Sequence, residues 1–197
     1  MRTAVLVAAL MMGACKEPAS TPVEAAAPSA TASAAQSAPM VTRGKWWAVA
    51  AKSKVYTEER RVDADNGLRL LASPARETAV RALDDMAAQT ADADGLRAAS
   101  KIARDAQDKV PPDAQHAIAT AALIVLHGLV AKACAEHADA SSLKELVAAI
   151  REMPLPHLQS GDGRTERGVI EQEMRSALDE KTMKAALVGA PAPQKSL

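Results

Sequence analysis

Apolar side chains recur every three or four positions through most of residues 42–188, the spacing that places them on one face of a helix. Three polar residues precede such stretches and predict helix starts. Ser73 and Asp94 are of the type that caps helices, and Ser142 opens a Ser-x-x-Glu capping box. A last helical stretch is predicted to begin near Arg164.

One segment is apolar on every side. From Ala117 to Ala131, a helix would point Ile, Leu and Val side chains in nearly every direction, so it must be surrounded by other helices or by lipid. This run contains His127 and Gly128 and is shorter than the ~20 apolar residues that a membrane span needs. We therefore predict an all-α fold, a compact bundle of about five to six helices around a central apolar helix at about residues 113–137.

Composition and charge exclude several classes of protein. The 197 residues carry 24 Lys plus Arg and 24 Asp plus Glu, so the formal net charge is zero. This balance excludes a strongly basic nucleic-acid-binding protein, and we expect no nucleic-acid partner. Two cysteines in the whole chain exclude a miniprotein held by disulfides. Phe is absent, and the many alanines allow helices to pack closely, which leaves little room for a large buried ligand.

The first fifteen residues have the features of a secretory signal, with one positive charge, a short apolar run and small residues before Cys15. Met12-Gly13-Ala14-Cys15 resembles the lipobox of bacterial lipoproteins, an apolar residue followed by two small residues and a Cys. The resemblance implies cleavage before Cys15, lipidation of its thiol and acylation of the new N-terminus. Lys16 at the next position implies, by the sorting pattern of that class, the periplasmic face of the outer membrane. The resemblance covers residues 1–15 and implies nothing about the fold.

Ala, Pro, Ser and Thr make up 19 of the 24 residues from Lys16 to Pro39, a composition typical of a disordered linker. Treated as a flexible coil, this segment has a reach of roughly 25–30 Å. The predicted organisation is a signal peptide at 1–14, a lipidated Cys15 with its linker at 15–41, an all-helical domain at 42–188 and a disordered tail at 189–197.

Cysteine and histidine residues cluster near the central helix, where they could form a metal site or have a purely structural role. Cys134 and His137 are three residues apart and could chelate one ion, but a structural zinc needs four ligands. We predict a buried Cys134 thiol, a surface His137, no metal and no cofactor. The acidic runs Asp63–Gly67 and Asp92–Gly95 lack the spacing of calcium loops and are predicted to be turns and caps.

Catalytic motifs are absent from the sequence: it has no glycine-rich phosphate loop, no G-x-S-x-G and no H-E-x-x-H. We therefore assign no catalytic residue. The aromatic residues Trp46, Trp47 and Tyr56 lie close together among basic residues. This segment is interpreted as a lid docked on the bundle, as an anchor for a protein partner, or as a contact with headgroups or polysaccharide. Arg164 and Arg167 follow a polar loop and are further candidates for contact with a partner.

These observations favour a lipid-anchored envelope protein that binds a partner without catalysis. The membrane is contacted through the N-terminal lipid, and the partner is expected to be an envelope protein. Two alternatives remain open, an immunity or inhibitor lipoprotein that neutralises a toxin or hydrolase, and an enzyme with an unrecognised helical site at Cys134 and His137 or near Arg164. The sequence leaves the oligomeric state open.

Overall fold

The computed structural model describes residues 42–137, 139–158 and 164–192. The signal peptide, Cys15 and the linker predicted from the sequence lie outside this part, as do residues 193–197. The part described folds into eight helices and contains no strand. The helices are α1 (Lys45–Ala50), α2 (Glu58–Arg69), α3 (Ser73–Ala87), α4 (Ala93–Gln107), α5 (Pro112–Glu136), α6 (Ala140–Glu152), α7 (Arg164–Ala177) and α8 (Glu180–Leu187).

Helix α5 forms the centre of the bundle. Its 25 residues include 16 that are buried, and it contacts α1, α2, α3, α4 and α7. Within the described residues it is the one helix long and apolar enough to cross a membrane, yet 83% of its most apolar stretch is buried inside the protein. That burial is provided by the surrounding helices. The predicted all-α bundle around a central apolar helix is confirmed.

The helix starts differ from those predicted. Asp92, not Asp94, caps α4, because its carboxylate accepts a hydrogen bond from the backbone N–H three residues further on. Asp139, not Ser142, caps α6, and its carboxylate accepts from two backbone N–H groups of the first turn. Ser73 is the first residue of α3 rather than its cap. In each case the helix begins one to three residues earlier than the apolar pattern indicates.

Two further corrections concern the helix count. The acidic run Asp63–Gly67 was expected to be a turn, but it lies inside α2, which is capped by Thr57. The last helical stretch is divided at Asp179, whose carboxylate accepts from the N–H of Thr182 and starts α8. The run Asp92–Gly95 does form a cap, as expected.

The predicted tail packs on the bundle where it is described. Arg151 Nη1 donates hydrogen bonds to the carbonyls of Ala190 and Pro191, at 3.4 and 2.8 Å. Gly189 adopts a positive φ of 76°, which turns the chain after α8. Ala190 and Pro191, which the sequence assigned to a disordered tail, therefore contact Arg151 of α6.

Helix α1 crosses the central helix at Gly128. A side chain at this position would overlap the backbone carbonyl of Val49, so the close approach requires glycine. Trp46 and Ala50, one turn apart on α1, are completely buried against the bundle. Of the three interpretations of the aromatic segment, the docked lid is the one that this packing supports.

We expect Gly128→Ala to lower the free energy of unfolding by about 1–3 kcal/mol, because the added methyl group forces α1 away from α5. Gly168→Ala in α7 is the matched control, since nothing lies within 4 Å of a Cβ at that position. The control should be neutral or stabilising by up to about 1 kcal/mol, from helix propensity alone. Urea unfolding of both variants measures the difference, and equal effects would show that the crossing does not depend on Gly128.

Candidate functional site

A completely buried carboxylate, that of Glu173 on α7, joins three elements of the bundle. His127 of α5 donates from Nδ1 to Glu173 Oε2 at 3.0 Å, since an ionised carboxylate can only accept. Ser53, three residues after the end of α1, donates from Oγ to the same oxygen at 2.6 Å. The backbone N–H groups of Lys54 and Val55 also donate to this carboxylate.

The loop after α1 is wrapped around this carboxylate. Ser53 Oγ accepts hydrogen bonds from the N–H groups of Val55 and Tyr56, at 3.2 and 2.9 Å. The Tyr56 ring packs edge-to-face on the His127 ring, with centroids 4.7 Å apart and an interplanar angle of 88°. Burial and the nearby charge of Glu166 raise the pKa of Tyr56. The segment is thus fixed by hydrogen bonds and by a ring contact.

The charge of Glu173 affects its neighbours. Burial acts to raise the pKa of Glu173, but hydrogen bonds from His127, Ser53 and the Lys54 N–H outweigh it, and the pKa is lowered. Burial, with a smaller contribution from the Glu173 charge, raises the pKa of the Cys134 thiol to about 11. Cys134 is buried, as predicted, and at neutral pH it is a protonated thiol and a poor nucleophile.

The order of the three side chains decides what this cluster can do. A serine nucleophile is activated when a histidine stands between it and the carboxylate and takes its proton. Here the carboxylate stands in the middle, and Ser53 and His127 both contact Glu173 Oε2. His127 therefore does not receive the Ser53 proton in this arrangement. The geometry suits a structural role, in which the Glu173 carboxylate links the α1 segment, α5 and α7 by hydrogen bonds.

A second buried carboxylate, that of Asp65 on α2, holds the other end of the α1 segment. Thr42 Oγ1 donates to Asp65, and Arg43 Nε and Arg69 Nε donate at 2.9 and 3.1 Å. The Thr42 carbonyl in turn accepts from the indole Nε1 of Trp46 at 2.6 Å. Burial acts to raise the pKa of Asp65, but these side-chain hydrogen bonds outweigh it and the pKa is lowered.

The residues proposed from the sequence as partner contacts have different positions. Trp46 is completely buried, so it is a core residue and not an exposed anchor. Arg167 is also buried, and its Nη2 donates to the Met153 carbonyl at 3.0 Å, so it too is corrected to a structural role. Arg164 opens α7, and its side chain lies outside the described positions. Trp47 and Tyr56 are half-buried and remain available at the surface.

Tyr56 lies at one end of a surface groove between α2 and α5. The groove has a volume of about 540 Å³ and combines an apolar floor with a polar rim. Ile124 and Ala64 in the floor are 1% and 4% exposed, whereas Arg60, Asp63 and His116 of the rim are exposed. The lining residues are Tyr56, Arg60, Asp63, Ala64, Gly67, His116, Ala117, Thr120 and Ile124.

Sequence reasoning missed Glu173 and Asp65, the two carboxylates around which these contacts are built.

Within residues 42–137, 139–158 and 164–192, no group of three His, Cys, Asp or Glu side chains is placed to hold a metal ion. No protein-family model, no curated protein and no solved structure matches the chain.

We expect acid to destabilise the protein through Glu173. Because its pKa is lowered below the ordinary value of 4.5, Glu173 stabilises the fold above about pH 4.5, and this contribution is lost as pH falls through the lowered pKa. Glu173→Gln should cost about 2–4 kcal/mol at pH 7 and show a smaller loss of stability below pH 4.5, with a residual slope from Asp65.

Urea unfolding at pH 7 and at steps between pH 5 and 3 measures both effects. Glu180→Gln, on the exposed surface of α8, is the control and should behave like the unaltered protein. Parallel pH profiles for Glu173→Gln and the unaltered protein would contradict the role given to this carboxylate.

Proposed function

We propose that this chain is a lipid-anchored protein of the bacterial envelope that acts as a non-catalytic helical binding module. The anchor is supported by the lipobox-like Met12-Gly13-Ala14-Cys15 and by the spacer composition that follows it. Several acyl chains on Cys15 would hold the protein on a bilayer without any transmembrane segment. The outer membrane is the location implied by Lys16.

The groove between α2 and α5 carries the proposal of a binding function. The buried polar side chains of Ser53, His127 and Glu173 bond to one another and hold the α1 segment in place, whereas the groove is open at the surface. An apolar floor with a charged rim is the arrangement of protein interfaces, in which the centre excludes water and the rim sets orientation. The Arg60 and Asp63 side chains provide both signs of charge along this rim.

Gly67 defines the occupant further. It lies in the groove wall and leaves the α2 backbone there without a side chain, and a Cβ at this position would be in ordinary contact with that of Ala117, 3.7 Å away. A side chain of a partner can therefore approach the α2 backbone. We propose that the groove takes an apolar-striped segment of another envelope protein, with charges of both signs beside the stripe.

The test is photo-crosslinking in intact cells, with a benzophenone amino acid replacing Ala117 in the groove. We expect a discrete crosslinked protein, and we expect Gly67→Leu to reduce its yield at least ten-fold by filling the groove, an effect of about 1.4 kcal/mol or more. Gly168→Leu adds the same side chain in open space on α7 and should leave the yield unchanged. Capture that persists in folded Gly67→Leu would contradict binding in this groove.

The same cells, fed an alkynyl palmitate analogue, test the anchor. The unaltered chain should be labelled and fractionate with membranes, whereas Cys15→Ala should be unlabelled and soluble. An unlabelled chain would contradict the anchor. A captured toxin or hydrolase would favour the inhibitor alternative over a general interaction module.

A further inference from the structure

Four arginines form a connected patch around the first residues of the described domain. Arg43 and Arg69 both contact the buried carboxylate of Asp65, and each side chain keeps about four-tenths of its exposure, 43% and 42%. Arg76 Nη1 donates to the Arg69 carbonyl at 3.2 Å. The arginine patch, defined as Arg43, Arg61, Arg69 and Arg76, thus has one carboxylate at its centre, and that carboxylate is 1% exposed.

Two large apolar side chains lie next to these arginines, Trp47 by ring contact and Leu70 by its position after Arg69 in the sequence. Trp47 is half-buried, and the guanidinium carbons of Arg43 and Arg61 lie 4.1 and 5.9 Å from the centre of its ring. Leu70, next to Arg69 at the end of α2, is 87% exposed. An exposed leucine and a tryptophan among arginines are the residue types that enter the headgroup region of a bilayer.

The charge of the described domain is divided unevenly. Residues 42–61 contain six Lys or Arg and two Glu, whereas the remaining described residues contain fifteen basic and nineteen acidic residues. Near the patch, Asp84 caps α1 by accepting from the Trp46 N–H, and Glu77 accepts from Ser73. The first twenty residues of the domain therefore carry a net positive charge, and Arg43 and Arg61 of the patch are among them.

We propose that the arginine patch, with Trp47 and Leu70, docks on the phosphate groups of an anionic membrane surface. This inference rests on the proposed function, because the occupant is the membrane that holds the lipid anchor. The spacer predicted for residues 15–41 meets the domain at Thr42, which itself bonds to Asp65 beneath the patch. The chain that leads from the predicted anchor therefore enters the domain beside the patch.

The anchor reduces the affinity that the patch needs. A spacer of this length keeps the domain near the bilayer at an effective concentration on the order of millimolar. Each arginine near an anionic surface strengthens binding by about five-fold, and guanidinium groups match phosphate oxygens in two-point contacts. A few arginines and one inserted leucine are then enough to hold the domain in one orientation.

The test measures cosedimentation of residues 15–197, carrying Cys15→Ser, with vesicles of phosphatidylcholine alone or with one quarter phosphatidylglycerol. This chain contains the whole described domain and the spacer but no lipid. We expect binding to the anionic vesicles and little to the neutral ones. Arg43→Gln/Arg69→Gln should weaken it by about 25-fold. Arg97→Gln/Arg175→Gln is the matched control, because its side chains are 41% and 49% exposed and also ion-paired.

Leu70→Ser keeps the test valid if the arginine variant fails to fold, because an exposed side chain can be replaced without disturbing the core. It should weaken vesicle binding by about ten-fold. Val188→Ser, at another large apolar side chain that is 68% exposed, should have no effect. Equal binding to both vesicle types, an unaffected Leu70→Ser, or equal losses in the variants and their controls would overturn the proposal.

Two further measurements distinguish binding of lipid phosphate from binding of free phosphate, and distinguish this proposal from that of the lipid anchor. Sodium phosphate that competes more strongly than sodium chloride at equal ionic strength would overturn membrane docking in favour of a site for the free anion. Because Cys15→Ser removes the lipid from this assay, vesicle binding does not depend on palmitate labelling. A chain that binds anionic vesicles but is never labelled would contradict the anchor alone, and a labelled chain that ignores them would contradict the patch.

Discussion

Two buried carboxylates, Asp65 on α2 and Glu173 on α7, hold the two ends of the short α1 segment on the bundle. A helix of six residues is not stable by itself, and the burial of Trp46 is favourable but carries little directional information. Asp65 fixes the start of the segment through Thr42 and Arg43, and Glu173 fixes its end through Ser53. Between these points, the glycine at 128 allows the α1 backbone to lie directly on α5.

The same two carboxylates position the surfaces proposed for binding. Glu173 sets the loop that carries Tyr56, and Tyr56 forms one end of the groove between α2 and α5. Asp65 draws Arg43 and Arg69 together at the opposite end of the α1 segment, beside exposed Leu70. One end of the segment would then face a protein partner, while the other would face the membrane.

The sequence allowed the central helix to be predicted because Ala117–Ala131 is apolar in every direction, a pattern that only a surrounded helix satisfies. It did not allow α2 to be predicted, because that helix is rich in charged residues and has no clear apolar face. Its buried residues are Ala64, Asp65 and Leu68. The roles of Asp65 and Glu173 depend on partners 22 and 120 residues away, which no local pattern specifies. The sequence left Trp46 open between a docked lid and an exposed anchor for the same reason, because its exposure is decided by tertiary packing.

Native-state hydrogen exchange at the loop after α1 tests this account most directly. The amides of Lys54 and Val55 donate to the buried Glu173 carboxylate, whereas the amides of α5 report on unfolding of the whole bundle. If the carboxylate holds the α1 segment on the core, the Lys54 and Val55 amides should exchange as slowly as the amides in the middle of α5. Exchange at these two amides that is orders of magnitude faster than in α5 would show that the α1 segment opens independently and would contradict the account.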